Sequence, residues 1–220
     1  MRKVAAAAVM AALFCSWIWL GCGTTGKGAV LGGVAGGAAG ALIGDRAGNT
    51  AMGALIGAAV GGTAGALIGK HMDQQASDLE KDLKDAKVER VGEGIKVTFG
   101  SGILFTSGSS DLQAEGKANI ESLAQVLAKY TDTNVLVDGY TDSDGTEELN
   151  QKLSEQRAAN VAQYMRALGM AGERLTTIGH GESLPVVDNS TPANKQLNRR
   201  VEIAIFANDK MKAAAAKGQL

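Results

Sequence analysis

The C-terminal half of this 220-residue chain is predicted to be an α/β sandwich, on three observations. From about Gly94 onward, strand-like and helix-like segments alternate. The helix-like segments repeat apolar residues at three- and four-residue spacing, as Ile120, Leu123, Ala124 and Leu127 do. The strand-like segments are short, and the last turns Val201, Ile203 and Ile205 toward one face. In order, the elements are the strand IKVTF, a turn at Gly100-Ser101-Gly102 leading into ILF, a helix from Gln113 to Tyr130, and a strand from Asn134 to Tyr140. A helix from Glu147 to Leu168 follows, then strands from Leu175 to Ile178 and from Arg200 to Phe206. The stretch between Gly181 and Asn198 holds both prolines of the chain and is too long for a simple connector, which suits a cover over a site.

The first third of the chain is built differently. Arg2 and Lys3 precede an apolar run from Val4 to Leu20, the pattern of an export signal over residues 1–21. Of the two cysteines, Cys15 lies inside that run and Cys22 directly after it, so cleavage before Cys22 leaves one thiol and no internal disulfide. A lone cysteine at a cleavage point fits lipid modification, and a plain secretory signal with an incidental cysteine is the alternative. Residues 22–27 then form a short linker. Over residues 28–70, glycine recurs every fourth position in two runs, from Gly28 to Gly48 and from Gly53 to Gly69, with the polar turn Asp45-Arg46-Ala47-Gly48-Asn49 between them. That period is helical, yet each glycine costs about 1 kcal/mol in an exposed helix, so close packing must stabilise such helices. The reading is a glycine-zipper helical hairpin, which crosses lipid, associates without crossing it, or serves as a spacer. Residues 71–91 are charged with a thin apolar edge of Met72, Ala76, Leu79, Leu83 and Ala86, predicting a stalk helix, while residues 208–220 are read as a flexible tail.

Composition narrows function. A formal net charge of -1 and a pI near 6.1, without a basic stripe, give no footprint for nucleic acid. The glycine ladder has no preceding strand and lacks the terminal Ser/Thr of a phosphate loop. His71 has no second histidine or cysteine near it, and the calcium-loop-like stretch from Tyr140 to Gln151 has Tyr140 and Gln151 where ligands belong, so no metal or cofactor is expected. No nucleophile-and-base pair argues for an enzyme.

The chemistry concentrates in GYTDSDGTEELNQKLSEQRA, residues 139–158. Helical stepping groups Leu149, Leu153, Val161, Tyr164 and Leu168 on one face with Arg157 at its centre and Asn150 beside it. A guanidinium among apolar residues needs an anion, and Asp142, at the end of the strand-like run VLVDGYTD, is the nearest candidate. Two readings are open. The pair bridges helix to strand, or it faces a cleft and meets a zwitterion, ammonium against carboxylate and carboxylate against the forked guanidinium.

The segments LFTSGSSDLQAEG, GYTDSDGTEELNQKLSEQRA, IGHGES and NRRVEI occur in this order over about 110 residues, and together they resemble the OmpA-like peptidoglycan-binding domain. The resemblance implies an α/β (α+β) fold, a βαβαββ sandwich with a mixed sheet, over residues 92–207. With the lipoprotein-type signal and zipper in front, the chain is similar to the YiaD-like envelope lipoproteins. It implies that Asp142 and Arg157 hold the diaminopimelate of a peptidoglycan stem peptide, and that Asn150 orients loop or ligand. Thr141 and Asp144 are candidates for loop hydrogen bonds. One of Arg199 and Arg200 is a candidate second cation, strand alternation placing them on opposite faces. The expected role is a non-covalent, non-enzymatic tether between the bacterial outer membrane and the cell wall, held in lipid by acylated Cys22 and facing the periplasm. Gly23 after Cys22 agrees with the outer membrane. The alternative is a zipper homo-oligomer forming a channel or scaffold that wall binding merely positions.

Overall fold

The computed structural model describes residues 63–106 and 108–220. The expected signal peptide, Cys22 and the zipper up to residue 62 lie outside the described residues. Among the described residues, helix α1 (Thr63–Asp82) is followed by strands β1 (Ala86–Val91) and β2 (Gly94–Gly100), the single-turn α2 (Ser101–Leu104), α3 (Ala114–Lys129) and β3 (Thr133–Gly139). Then come α4 (Glu147–Ala167), a 3-10 turn at Gly172–Arg174, β4 (Leu175–Gly179), α5 (Pro192–Asn198), β5 (Arg200–Ala207) and α6 (Asp209–Ala216). The sheet order is β1-β2-β5-β3-β4, with β3 and β4 parallel and every other pair antiparallel. The predicted βαβαββ core is therefore present as β2-α3-β3-α4-β4-β5, with α1 and β1 added in front and α6 behind.

Strand alternation divides the sheet into two unlike faces. Val97, Ile203 and Val137 stand in one register row and belong, with Ile120, Leu123, Val126 and Leu127 of α3 and Val161 and Met165 of α4, to a continuous apolar core. The opposite face carries, among the described residues, a small apolar patch of Leu136 and Ala204 with Val91, Ile178 and Phe206 packed against it. Next to it lies a buried polar row in which Glu202 and Asp138 are register partners.

Three sequence expectations are corrected. The stalk helix over residues 71–91 ends at Asp82, and β1 replaces its last part. The alternation Lys87-Val88-Glu89-Arg90-Val91 pairs with β2 through the two-residue turn Gly92-Glu93, where Gly92 has φ 55° and supplies the left-handed backbone that a tight hairpin needs. Helix α1 also runs unbroken through the proposed zipper–stalk boundary at residue 70. Ala64, Ile68, Met72, Ala76 and Leu79 are buried in the core, so this helix is part of the domain and no free stalk. Among the described residues no helix is long and apolar enough to cross a membrane. The tail is likewise a helix. The Asn208 side chain caps α6 by accepting from the Met211 amide at 3.0 Å, and Met211 and Ala215, four residues apart, are buried in the same core as α1.

Candidate ligand site

The site is built where α4 lies close against the parallel edge of the sheet. Thr146 caps α4, its hydroxyl accepting from the Leu149 amide at 3.3 Å, and Glu147 and Glu148 in the first turn suit the positive end of the helix dipole. Gly139 and Gly179 are register partners at the ends of β3 and β4. A β-carbon at Gly139 would overlap the Ser154 carbonyl, and one at Gly179 the backbone of Glu155. The sheet edge is therefore bare where the helix crosses it, and the face that α4 buries carries Asn150, Ser154, Arg157, Ala158, Val161, Ala162 and Met165. The predicted leucine stripe is corrected here. Leu149 is 63% exposed and Leu168 is exposed too, because a glycine-floored contact admits serine and alanine better than leucine. Arg157 and Asn150 are buried, as their helical phase requires, but among smaller and more polar neighbours.

Arg157 is 4% exposed. Its Nε donates to the Ser109 carbonyl at 3.0 Å, and its guanidinium carbon sits 5.2 Å from the centroid of the Phe105 ring. Among the described residues it forms no ion pair, and its terminal nitrogens have no hydrogen-bond acceptor. Burial depresses its pKa, Arg199 depresses it further by repulsion, and Asp142 opposes both.

Asp142 is paired elsewhere. Its Oδ2 accepts from Arg199, and its Oδ1 accepts from the Asp144 amide at 3.1 Å. The two candidates read from the sequence are thus neighbours that do not bridge each other. Arg157 and Arg199 line one cavity of about 480 Å³ together with Ser101, Phe105, Thr106 and Gln113. Ser101 Oγ is buried without a hydrogen-bond partner among the described residues. The amide of Ser101 donates to the Arg199 carbonyl at 2.9 Å, which ties the two cavity walls together.

The remaining candidates surround this cavity or leave it. Thr141 is buried, and its amide donates to the Gly181 carbonyl at 2.8 Å, extending the β3–β4 pairing beyond the strands. The exposed Asp144 carboxylate pairs with Lys195 of α5 at 2.6 Å. Asn150 donates to Glu182 and so braces α4 to the loop after β4. Of the two arginines left open by the sequence, Arg199 faces the cavity. Arg200 is not brought there: it is 3% exposed on the other face of the sheet, with its Nε 2.7 Å from Glu202, its terminal nitrogens on the carbonyls of Asn198 and Leu184, and its guanidinium 3.7 Å above the Tyr140 ring. Tyr140 in turn stacks on His180, whose Nε2 lies 3.3 Å from Asp138.

Sequence patterning gives no role to Ser101, Phe105 and Gln113, which line the cavity with Arg157, to Ser109, whose carbonyl accepts from Arg157, or to Asn198. That asparagine accepts from the Val186 and Val187 amides and donates to the Val187 carbonyl and to Asn189, pinning the loop that precedes the arginines. The glycine- and serine-rich run after β2 signals a loop at a strand end, but nothing in its spacing shows that it folds against a helix some 50 residues away.

Residues 104–199 match the OmpA family. The C-terminal domain belongs to the OmpA family. Residues 1–73 match a second family, the YMGG-like Gly-zipper. The chain is 38% identical over 137 residues to the probable lipoprotein YiaD of Escherichia coli, a match covering 61% of this chain and 63% of that protein. It is 42% identical over 86 residues to the peptidoglycan-binding protein ArfA of Mycobacterium tuberculosis, covering 39% of this chain and 26% of that one. The chain thus spans about a quarter of one curated relative and under two thirds of the other. Among solved structures, the cell wall anchor of the T6SS from Pseudomonas aeruginosa is 30% identical with a TM-score of 0.55, covering 62% of this chain and 97% of that one.

Proposed function

We propose that this protein is a peptidoglycan-binding lipoprotein that tethers the outer membrane to the cell wall without covalent attachment and without catalysis. The observation that carries the reading is Arg157, a buried guanidinium with no anion of its own among the described residues, in the wall of a cavity shared with Arg199. Burying a cation without a partner is unfavourable, and a carboxylate from outside offsets that cost. Asp142, at the neighbouring strand end, supplies the complementary charge for an ammonium. Diaminopimelate presents both groups on one carbon at the free end of its side chain. The names of the relatives support the same role: a peptidoglycan-binding protein, a probable lipoprotein and a cell wall anchor.

In this reading Cys22 carries acyl chains in the outer membrane, the domain faces the periplasm, and the zipper segment adds a second hydrophobic hold, since one acyl chain alone binds only reversibly. The zipper match also supports self-association, and crosslinking the protein in detergent tests it, a monomer arguing against assembly. Wall binding is tested by co-sedimentation of the whole chain with purified sacculi. Arg157→Ala is expected to remove most of the retained protein and Asp142→Ala a smaller share, while the far-UV spectrum of both stays native. Undiminished retention of both variants would overturn the proposed site.

A further inference from the structure

Both oxygens of Asp142 are engaged by the protein itself, Oδ2 by Arg199 and Oδ1 by the Asp144 amide. Arg157 spends only its Nε, on Ser109, and keeps its two-pronged terminus. Ser101 Oγ, in the same cavity wall, is a second buried donor without a partner among the described residues. Gln113, by contrast, has its amide nitrogen committed to the carbonyls of Gly102 and Ile103 at 2.7 and 2.8 Å. Two guanidiniums against the single Asp142 carboxylate leave one positive charge in excess, and the Asp144–Lys195 pair beside it is self-neutral. What the cavity lacks is therefore an anion, and what it already holds internally is a cation on Asp142.

We infer that Arg199 stands in for the ligand's ammonium, so that the free carboxylate at the end of the diaminopimelate side chain decides binding and the neighbouring amine is secondary. The inference rests on the diaminopimelate reading above and sharpens it to a chemical form. An incoming ammonium must displace an existing ion pair and gains only the difference between two cations on one carboxylate. An incoming carboxylate meets a forked donor that no protein acceptor holds among the described residues, so it displaces no internal ion pair. Sites of this kind reject an analogue that lacks the matching group more strongly than they reject one that lacks a few apolar atoms.

The test is titration calorimetry of the whole chain in detergent with four soluble muropeptides. One carries diaminopimelate with its terminal carboxylate free, and one carries it amidated. A third has lysine in its place, which keeps the ammonium and lacks the carboxylate, and the fourth keeps the carboxylate but has the terminal amine acetylated. Amidation and lysine are each expected to weaken binding at least about tenfold, and acetylation less than about threefold. In Arg199→Gln, where Asp142 is released, the acetylation penalty is expected to rise to about tenfold. An amidated or lysine ligand within about twofold of the free form overturns the inference and leaves the diaminopimelate reading standing, provided that the free form binds. Acetylation that costs as much as amidation, or a penalty unmoved by Arg199→Gln, also overturns it. No binding of the free form removes the diaminopimelate reading itself, and the inference with it.

Discussion

Arg157 and Arg200 are buried to the same depth on opposite faces of one sheet, yet their surroundings differ in kind. Arg200 has a carboxylate, two carbonyls and an aromatic face, so each part of its guanidinium is answered inside the protein. Arg157 has one carbonyl and an aromatic face, with its forked end turned to a cavity. Burial alone does not distinguish a structural arginine from a binding one. The completeness of its partners does.

Arg200 carries the largest expected effect. Arg200→Met strands Glu202 on a buried face without its cation, and a loss of about 3 to 5 kcal/mol in denaturant unfolding is expected. A change under about 1 kcal/mol would mean that the two arginines are alike after all. A smaller effect sharpens the contrast from a distance. Met211→Ala empties a core position on α6, and is expected to cost about 2 to 3 kcal/mol while sacculus retention at a temperature where the variant is folded stays at the parent level. Lost retention in that variant would couple the site to global stability and weaken the separation drawn here.

The smallest effect is an alkaline one. The Tyr130 hydroxyl donates to Asp78 of α1 at 2.7 Å, and burial, with the Asp78 carboxylate beside it, pushes its pKa up to about 12. A phenol raised above its ordinary 10.0 in the folded protein contributes its full stability below about pH 10 and loses it as pH climbs toward 12. The same bond holds the Asp78 carboxyl below its ordinary value, so that contribution is present above the unfolded carboxyl pKa and fades as pH falls through the lowered folded one. Tyr130→Phe is expected to cost about 1 kcal/mol at neutral pH and to flatten the alkaline limb of the stability profile, without touching wall binding. An unchanged alkaline limb would contradict this account of the α1–α3 contact.

How much of this was legible in the sequence follows from which forces leave a pattern. The period-2 run Val201-Ile203-Ile205 and the helical set Ile120-Leu123-Leu127 are core in the structure as the spacing requires, since burial of one face is a local signal. Strand β1 was hidden because it is an edge strand made mostly of charged and short residues, and only the Gly92-Glu93 turn betrayed it. The burial of α1 and α6 was hidden because thin apolar edges, Met72-Ala76-Leu79 and Met211-Ala215, look like solvent-facing stripes until they meet each other's core. At the site, helical phase marked Arg157 and Asn150 as buried. It could not show that Arg199 would claim Asp142, because that contact joins residues 57 positions apart through the loop pinned by Asn198.

On the proposed function, Arg157 is buried for a ligand and Arg200 for the fold. Arg157→Met tests it most directly, with unfolding free energy and sacculus co-sedimentation measured on the same preparation. The account predicts stability within about 1 kcal/mol of the parent, because no internal carboxylate is orphaned, together with near-complete loss of retention. A variant that unfolds several kcal/mol earlier, or that sediments with the wall as the parent does, would contradict it.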